Sequence, residues 1–402
     1  MALPTGLRAL HHADFRRFFV AQLVAQIGGW MQTVAQSWLV LQLTSSPLKL
    51  GLIGTLQFGP ILLFSIVSGA IADRFPKRAL LLGTQTVMGC QAFALAALVA
   101  SGHVEYWHVA VLATGVGLGN VIDAPARQSL VAEMVGRADL GSAISLNSAS
   151  FNGARIVGPS VGGLLIARYG VAPAFVCNGL GFAIAIMAIL TLRTHGRPQP
   201  RSGEGVVQEI LTGIRYVWRT REMRLALGLT FMVSFCVFNF TVYVPLVVRQ
   251  VLGLGAEGFG FLMASLGVGA VSGALTLGAL GARRPPRGLM FVAAAMACAG
   301  LLGLSVVHSF WPAVAMLFVT GFFGIVAVVS CNTTMQLAAT DALRGRVMSI
   351  YTLVWGGVFP VGAFLVGAMS ERWGVQRALM TNGSVGLSGV ALILGWWRLR
   401  TR

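Results

Sequence analysis

The sequence predicts an all-α polytopic membrane protein with twelve transmembrane helices in two pseudo-symmetric six-helix bundles. Three observations lead there: the composition, the length of the apolar runs, and a basic segment that occurs twice. Of 402 residues, 56% are hydrophobic and only 10% charged, whereas soluble chains carry about 25% charged residues. The apolar runs continue for roughly twenty residues, the length that crosses a hydrocarbon core, and do not alternate as barrel strands do. Lipid offers the backbone no hydrogen-bond partner, so with a barrel excluded the spans must be helices. The third observation is the stretch Gly69-Ala70-Ile71-Ala72-Asp73-Arg74-Phe75-Pro76-Lys77-Arg78, which returns as Gly278-Ala279-Leu280-Gly281-Ala282-Arg283-Arg284-Pro285-Pro286-Arg287. Gly69 matches Gly278, Arg74 matches Arg283 and Arg78 matches Arg287 at one offset of 209 (278 − 69), with Ala282 in place of Asp73. A basic hairpin once per half implies two homologous halves.

Hydropathy places the first six spans at 18–43, 48–72, 79–101, 107–132, 142–167 and 171–192. The second six fall at 225–248, 258–281, 288–308, 311–337, 347–369 and 377–397. The halves are then 1–192 and 225–402. Arg8, Arg16 and Arg17 precede a first span too long for the apolar region of a signal peptide, so this span is expected to remain as the first helix. After the fourth and tenth spans a second match appears, Leu140-Gly141-Ser142-Ala143-Ile144-Ser145 against Arg344-Gly345-Arg346-Val347-Met348-Ser349, offset 204 (345 − 141). Each leads into a span with a proline, Pro159 or Pro360. The connecting segment 193–224 begins rich in Pro, Gly and Ser and reads as a cytoplasmic linker. Its later part, Val206 to Arg224, is expected as an amphipathic helix on the membrane surface, with Ile210, Ile214, Val217 and Trp218 as its apolar residues.

A net charge of +17 invites a nucleic-acid reading, but its placement argues against one. With the amino terminus inside, 22 of the 29 Lys and Arg residues fall in cytoplasmic segments and five outside, while Arg127 and Arg155 lie within spans. This is the positive-inside bias, and it orients both termini to the cytoplasm. The five cysteines sit inside apolar spans without a CxxC pair, so neither disulfides nor a metal site is expected.

Several residues carry candidate chemistry. Gln22, Gln26, Gln32, Thr33, Gln36 and Ser37 share an arc of about 140° on the first span. Amides facing lipid would lack partners, so the arc lines a watery cavity or serves as interhelical glue. Asp123 is the one acid placed well inside a span, one helical turn before Arg127, so the two can pair. It reads either as a proton carrier or as a gate residue that joins Asp73 and Arg74 in a cytoplasmic ion-pair cluster; its depth favours the gate. Arg155 sits in Asn152-Gly153-Ala154-Arg155-Ile156-Val157-Gly158-Pro159-Ser160-Val161-Gly162-Gly163. It is a candidate for an anionic substrate group, with Asn152 beside it, or for a pair with Asp123. Gly158, Gly162 and Gly163 permit close helix approach, and Pro159 removes a backbone donor.

The two basic hairpins resemble the loop motif between helices two and three of the Major Facilitator Superfamily and its degenerate copy between helices eight and nine. The run Gly158 to Gly163 resembles the fifth-helix antiporter motif of that superfamily's exporters, with Ala154 replacing its first glycine. Together with Asp123-Ala124-Pro125-Ala126-Arg127-Gln128 and Arg344-Gly345-Arg346, the chain resembles the subgroup that includes enterobactin and macrolide efflux proteins. Two departures stand out: Pro76 replaces a usual glycine, and Ala282 replaces an acid, so only the first half carries the complete gate. The resemblance implies a substrate site between the halves, a bacterial inner-membrane location and small-molecule efflux.

The reading is thus a secondary transporter, an exporter of a small amphipathic molecule coupled to protons, monomeric and without a cofactor. An importer or facilitator is the main alternative. No GK[ST] phosphate loop is present, since Lys49 and Lys77 follow Leu48 and Pro76. A membrane enzyme would need clustered His, Asp, Glu or Ser, and the six histidines are scattered. A signalling receptor would be expected to carry a sizeable extra cytoplasmic domain, for which segment 193–224 is too short.

Overall fold

A computed structural model describes residues 5–194, 206–279, 285–340 and 343–399, without the side chains of residues 5–6, 65–70, 72, 73, 152 and 206–210. Every regular element among them is helical. The chain divides into two compact units, one of Met1–Ser45 with Gly59–Ser202 and one of Ser46–Phe58 with Gly203–Arg402.

The first unit holds α1 (Ala13–Thr44), the later part of α2 (Pro47–Arg74), α3 (Lys77–Ala100), α4 (Tyr106–Tyr169) and α5 (Ala172–Leu190). Here α1 packs on α4 and α5, and α3 on the same two helices. The second unit holds α6 (Val206–Arg219), α7 (Arg221–Cys236), α8 (Phe240–Leu246) with a π turn at Val247–Val251, α9 (Ala256–Ala279), α10 (Arg287–Leu304), α11 (Phe310–Ala338), α12 (Arg344–Gly357), α13 (Phe359–Trp373) and α14 (Val375–Leu399). Its centre is α11, packed on α9, α10 and α7.

Ten of the described segments are long and apolar enough to cross a membrane. One of them, α4, covers 64 residues in two helical stretches joined at Gly136, about 45 and 50 Å at 1.5 Å per residue, each enough for one crossing. A connection between two spans was expected there, at 133–141, and the break falls within it, at Gly136 (φ 68°, ψ 175°), a conformation that glycine adopts without steric cost. The first span is not among the ten because its polar arc dilutes its apolar character, although α1 has 32 residues.

Two expected spans are interrupted. Around 225–248 the helix stops at Cys236 and resumes at Phe240. The Asn239 amide donates to the Phe235 carbonyl at 2.7 Å, taking the acceptor its own backbone N–H would use in a continuous helix. The span at 347–369 divides at Val358, ahead of Pro360, whose missing N–H cannot serve the preceding turn. The amphipathic segment also ends sooner than expected: Thr220 is extended (φ −95°, ψ 115°) and separates α6 from α7. Val217, expected on its membrane face, is fully buried in the second unit's core beside Met223 and Met335.

The internal repeat reappears in local geometry, with a shift. Pro76 (φ −57°, ψ 121°) and Pro286 (φ −58°, ψ 137°) each stand just before a helix that begins at Lys77 or Arg287. The geometric offset is 210 (286 − 76), one more than the sequence match, so Lys77 rather than Arg78 is the local counterpart of Arg287. A third correspondence is Arg168-Tyr169-Gly170-Val171 with Arg372-Trp373-Gly374-Val375. Gly170 (φ 78°) and Gly374 (φ 83°) both end a helix in the left-handed region, at offset 204 (374 − 170).

Candidate functional site

Asp123 lies midway along the first stretch of α4, and 1% of it is exposed. A carboxylate there needs donors, since a lone charge in a helix centre costs about 2.5–3.5 kcal/mol. Three groups from two helices meet it, and a third helix joins through one of them. On α3, the Gln85 amide donates to its Oδ1 at 2.8 Å and the Thr84 hydroxyl to the same oxygen at 3.1 Å. Thr84 has one proton to give and also lies 3.2 Å from the Leu81 carbonyl. On α4, Arg127 Nη2 stands 3.4 Å from Oδ2, one turn away. Arg127 Nη1 then donates to Gln22 Oε1 on α1 at 3.2 Å. The carboxylate thus ties α1, α3 and α4 through a partly exposed guanidinium.

The rest of the α1 polar arc divides. Gln32 donates to Gln91 of α3 at 3.1 Å and accepts from Asn178 of α5 at 2.7 Å, a buried amide ladder across three helices. Gln22 and Gln32 therefore act as interhelical glue within this unit. Thr33 donates to its own helix at Gly29, Gln36 is buried and Gln26 partly so.

The antiporter-like run lies in the later part of α4, which passes Pro159 without a break. A Cβ on Gly158 would stand 2.5 Å from Trp30 Cβ and 2.8 Å from the Ile27 carbonyl, and one on Gly162 3.3 Å from Met31 Cα. These glycines therefore bring α4 backbone against α1. Pro159 and Gly163 are also buried. Arg155, buried one turn earlier, places Cζ 5.8 Å from the Trp30 ring centroid, within cation–π range, and Trp30 meets Phe151 edge-on at 5.8 Å. The Asn152 side chain lies outside the described residues.

The expected gate cluster is only partly in view. Gly69 and Asp73 fall on backbone in α2, with side-chain surroundings outside the described residues. Arg74 is exposed. Arg78 donates to the Leu190 carbonyl at the end of α5, where a cation meets the unpaired carbonyls of a helix terminus. The hairpin residue whose burial stands out is Lys77, fully buried with Nζ 3.9 Å from Glu133. His12 contacts Asp139 at 2.9 Å, and Asp14 accepts from the Arg193 and Thr194 backbone amides. The repeat of Arg283 and Arg284 lies outside the described residues.

A second polar contact joins Ser46 and the start of α2 to α13, inside the second unit. Glu371 Oε2 accepts from Ser46 Oγ at 2.8 Å and from the Leu48 N–H at 3.1 Å. Farther along, Thr55 donates to the Pro360 carbonyl at 2.9 Å, and a Cβ on Gly51 would stand 2.5 Å from the Ala363 carbonyl. Sequence reasoning missed this contact, because nothing in residues 46–58 marks α13 as their neighbour. It also missed Thr84, Gln85, Gln91 and Asn178, although polar side chains within apolar runs are a readable signal. No His, Cys, Asp and Glu cluster able to hold a metal occurs among the described residues.

Comparison with known proteins agrees with this architecture. The family model described as transmembrane secretion effector matches residues 4–402. The multidrug efflux pump Tap of Mycolicibacterium fortuitum is 29% identical over 93% of this chain and 92% of its own. The enterobactin exporter EntS of Shigella flexneri is 25% identical over 95% of this chain and 90% of its own. In fold, the chain resembles a POT family transporter crystallised with a thioalcohol-conjugated peptide, at TM-score 0.74 and 12% identity over 96% of each chain. The chain is a small-molecule transporter rather than an enzyme, and it belongs to the transmembrane secretion effector family of the Major Facilitator Superfamily.

Proposed function

We propose that this protein is a proton-coupled exporter of a small amphipathic molecule. It works by alternating access, as a monomer in the bacterial inner membrane with both termini cytoplasmic. The export direction comes from relatives named as efflux pump and exporter. The orientation comes from the 22-to-5 distribution of basic residues. One charge crossing the membrane is worth about 2.3 kcal/mol per 100 mV, so no nucleotide is required.

The observation that carries the proposal is the Asp123 knot. A carboxylate held by Gln85, Thr84 and Arg127 fixes α3 to α4, and through Gln22 to α1. Such a clasp stabilises one arrangement of the helices and must loosen in each cycle, which is the gate reading of Asp123. Arg155, with Trp30 beside it, offers a cation and an aromatic face to an anionic amphipathic cargo.

The experiment is uphill efflux from proteoliposomes under an imposed pH gradient, with Asp123→Asn beside the native chain. The gate reading expects a reduced rate with the pH dependence kept. Loss of pH dependence with binding intact makes Asp123 the proton carrier instead. An unchanged rate removes Asp123 from the mechanism.

A further inference from the structure

The helix α6 presents a surface that neither transport nor the knot uses. It is 14 residues long, about 21 Å at 1.5 Å per residue and too short to cross a bilayer. One side is fixed to the second unit. A Cβ on Gly213 would stand 3.0 Å from Ile350 Cδ1 of α12, Val217 is fully buried, and Tyr216 donates to the Ala338 carbonyl at 3.3 Å. The other side is apolar and bare: Leu211 and Ile214 are exposed, and Trp218 is 64% exposed. Spaced three and four apart, these three occupy an arc of about 60°. Arg215 and Arg219, both exposed, flank that arc on one edge.

We infer that this exposed side of α6 is an interfacial docking surface for anionic phospholipids, its apolar stripe in the acyl boundary and its two arginines on the headgroup phosphates. Two observations select that occupant. Continuity is the first: only Thr220 separates α6 from α7, which opens an apolar segment able to cross the membrane, so Trp218 is held near the membrane surface. Charge is the second: basic residues flanking an apolar stripe with a tryptophan match an anionic leaflet, where polybasic segments gain electrostatic attraction. Because α6 packs on α12 and the end of α11, lipid binding there steadies the α11–α12 connection. The inference rests on the cytoplasmic placement of segment 193–224, but its test reads lipid contact without transport.

The test is hydrogen exchange of α6 amides in the full-length protein, in nanodiscs of phosphatidylcholine alone or of equal phosphatidylcholine and phosphatidylglycerol. Anionic lipid should slow exchange across residues 211–219 on the order of tenfold, and added salt should reduce the gain. Arg215→Glu with Arg219→Glu should abolish the gain while leaving the phosphatidylcholine rate unchanged, since neither side chain is on the packed face. Trp218→Ser should quicken exchange in both lipids. Equal exchange in both nanodiscs overturns the inference. So does protection that persists in detergent and rises with protein concentration, which would make a second copy the occupant.

Discussion

The two units bury different chemistry. In the first, Asp123, Arg155 and Lys77 are buried within helices that also bury Gln22, Gln32, Gln36, Gln85 and Gln91. Among the described residues of the second, the buried polar side chains are Ser, Thr and Asn, as at Thr230, Ser234, Asn239, Thr320, Ser330 and Asn382. Several of their bonds are local: Thr230, Asn239 and Thr320 donate to carbonyls four residues back, while Ser234 reaches the Trp355 carbonyl of α12. A hydroxyl that bonds its own helix asks nothing of a neighbour, whereas an amide or a charge must find a partner on another helix. The first unit thus adds buried amide and charge contacts between helices to its apolar core, while the second packs a continuous apolar core around Leu229, Ala297 and Cys331. The buried charges therefore lie in the half whose sequence keeps the full basic hairpin.

The largest expected effect tests this directly. Asp123→Ala strands the Arg127 guanidinium and the Gln85 and Thr84 donors. Removing one partner of a buried ion pair costs roughly 3–5 kcal/mol, discounted here because Arg127 is about one-third exposed, which leaves about 2–3. In the second unit, Thr320→Ala removes a within-helix bond to the Met316 carbonyl and should cost about 1 kcal/mol or less. Thermal unfolding of the detergent-solubilised protein compares the two. Equal shifts would show that the polar knot holds no more than a hydroxyl does, and the contrast between units would lose its energetic content.

Close packing is where the units are alike, and it sets the second prediction. Gly158 brings α4 onto α1, with an added Cβ 2.5 Å from Trp30 Cβ and 2.8 Å from the Ile27 carbonyl. Gly321 brings α11 onto α9, where an added Cβ would run into the Leu266 carbonyl. Backbone cannot rotate away as a side chain can, so each Gly→Ala should cost on the order of 1–3 kcal/mol, the larger loss at Gly321. In the reconstituted protein, Gly158→Ala should also slow efflux, because α1 and α4 both carry the knot. Gly321→Ala should leave the residual rate per folded molecule near native. Slowing by both variants alike would mean that packing in either unit limits the cycle.

The fold class was legible because it rests on one-dimensional facts: run length, charge scarcity and a repeated hairpin. The pairing of Asp123 with Arg127 was legible for the same reason, being one turn apart on one helix. What stayed hidden needs a third coordinate. Gln85 and Thr84 reach Asp123 from another helix, and no spacing rule links residues 38 or 39 positions apart. The breaks at Asn239 and Val358 hid for a different reason, since hydropathy averages over the few residues that interrupt a helix. The correspondence of Gly170 with Gly374 was written in the sequence, but a single four-residue match stands out only once both glycines are seen ending helices with positive φ.

The smallest expected effect concerns the start of α2, which follows α1 in the chain yet clusters with the second unit. Glu371 holds it by accepting from Ser46 and from the Leu48 N–H, a cap on a helix start whose free amides favour an anion. Because Glu371 is exposed, solvent screens most of the charge. Glu371→Gln keeps the shape and one acceptor oxygen, so the loss should be only about 0.5 kcal/mol. That is roughly a twofold rise in the fraction of molecules with this contact open. Under alternating access the rise should appear as faster hydrogen exchange in residues 46–58, with exchange in α3 unchanged and stability nearly native. Acceleration spread evenly over the second unit would mean that the segment is an ordinary part of that body. Acceleration confined to 46–58 would show that this segment, held by Glu371, opens apart from the rest of its unit.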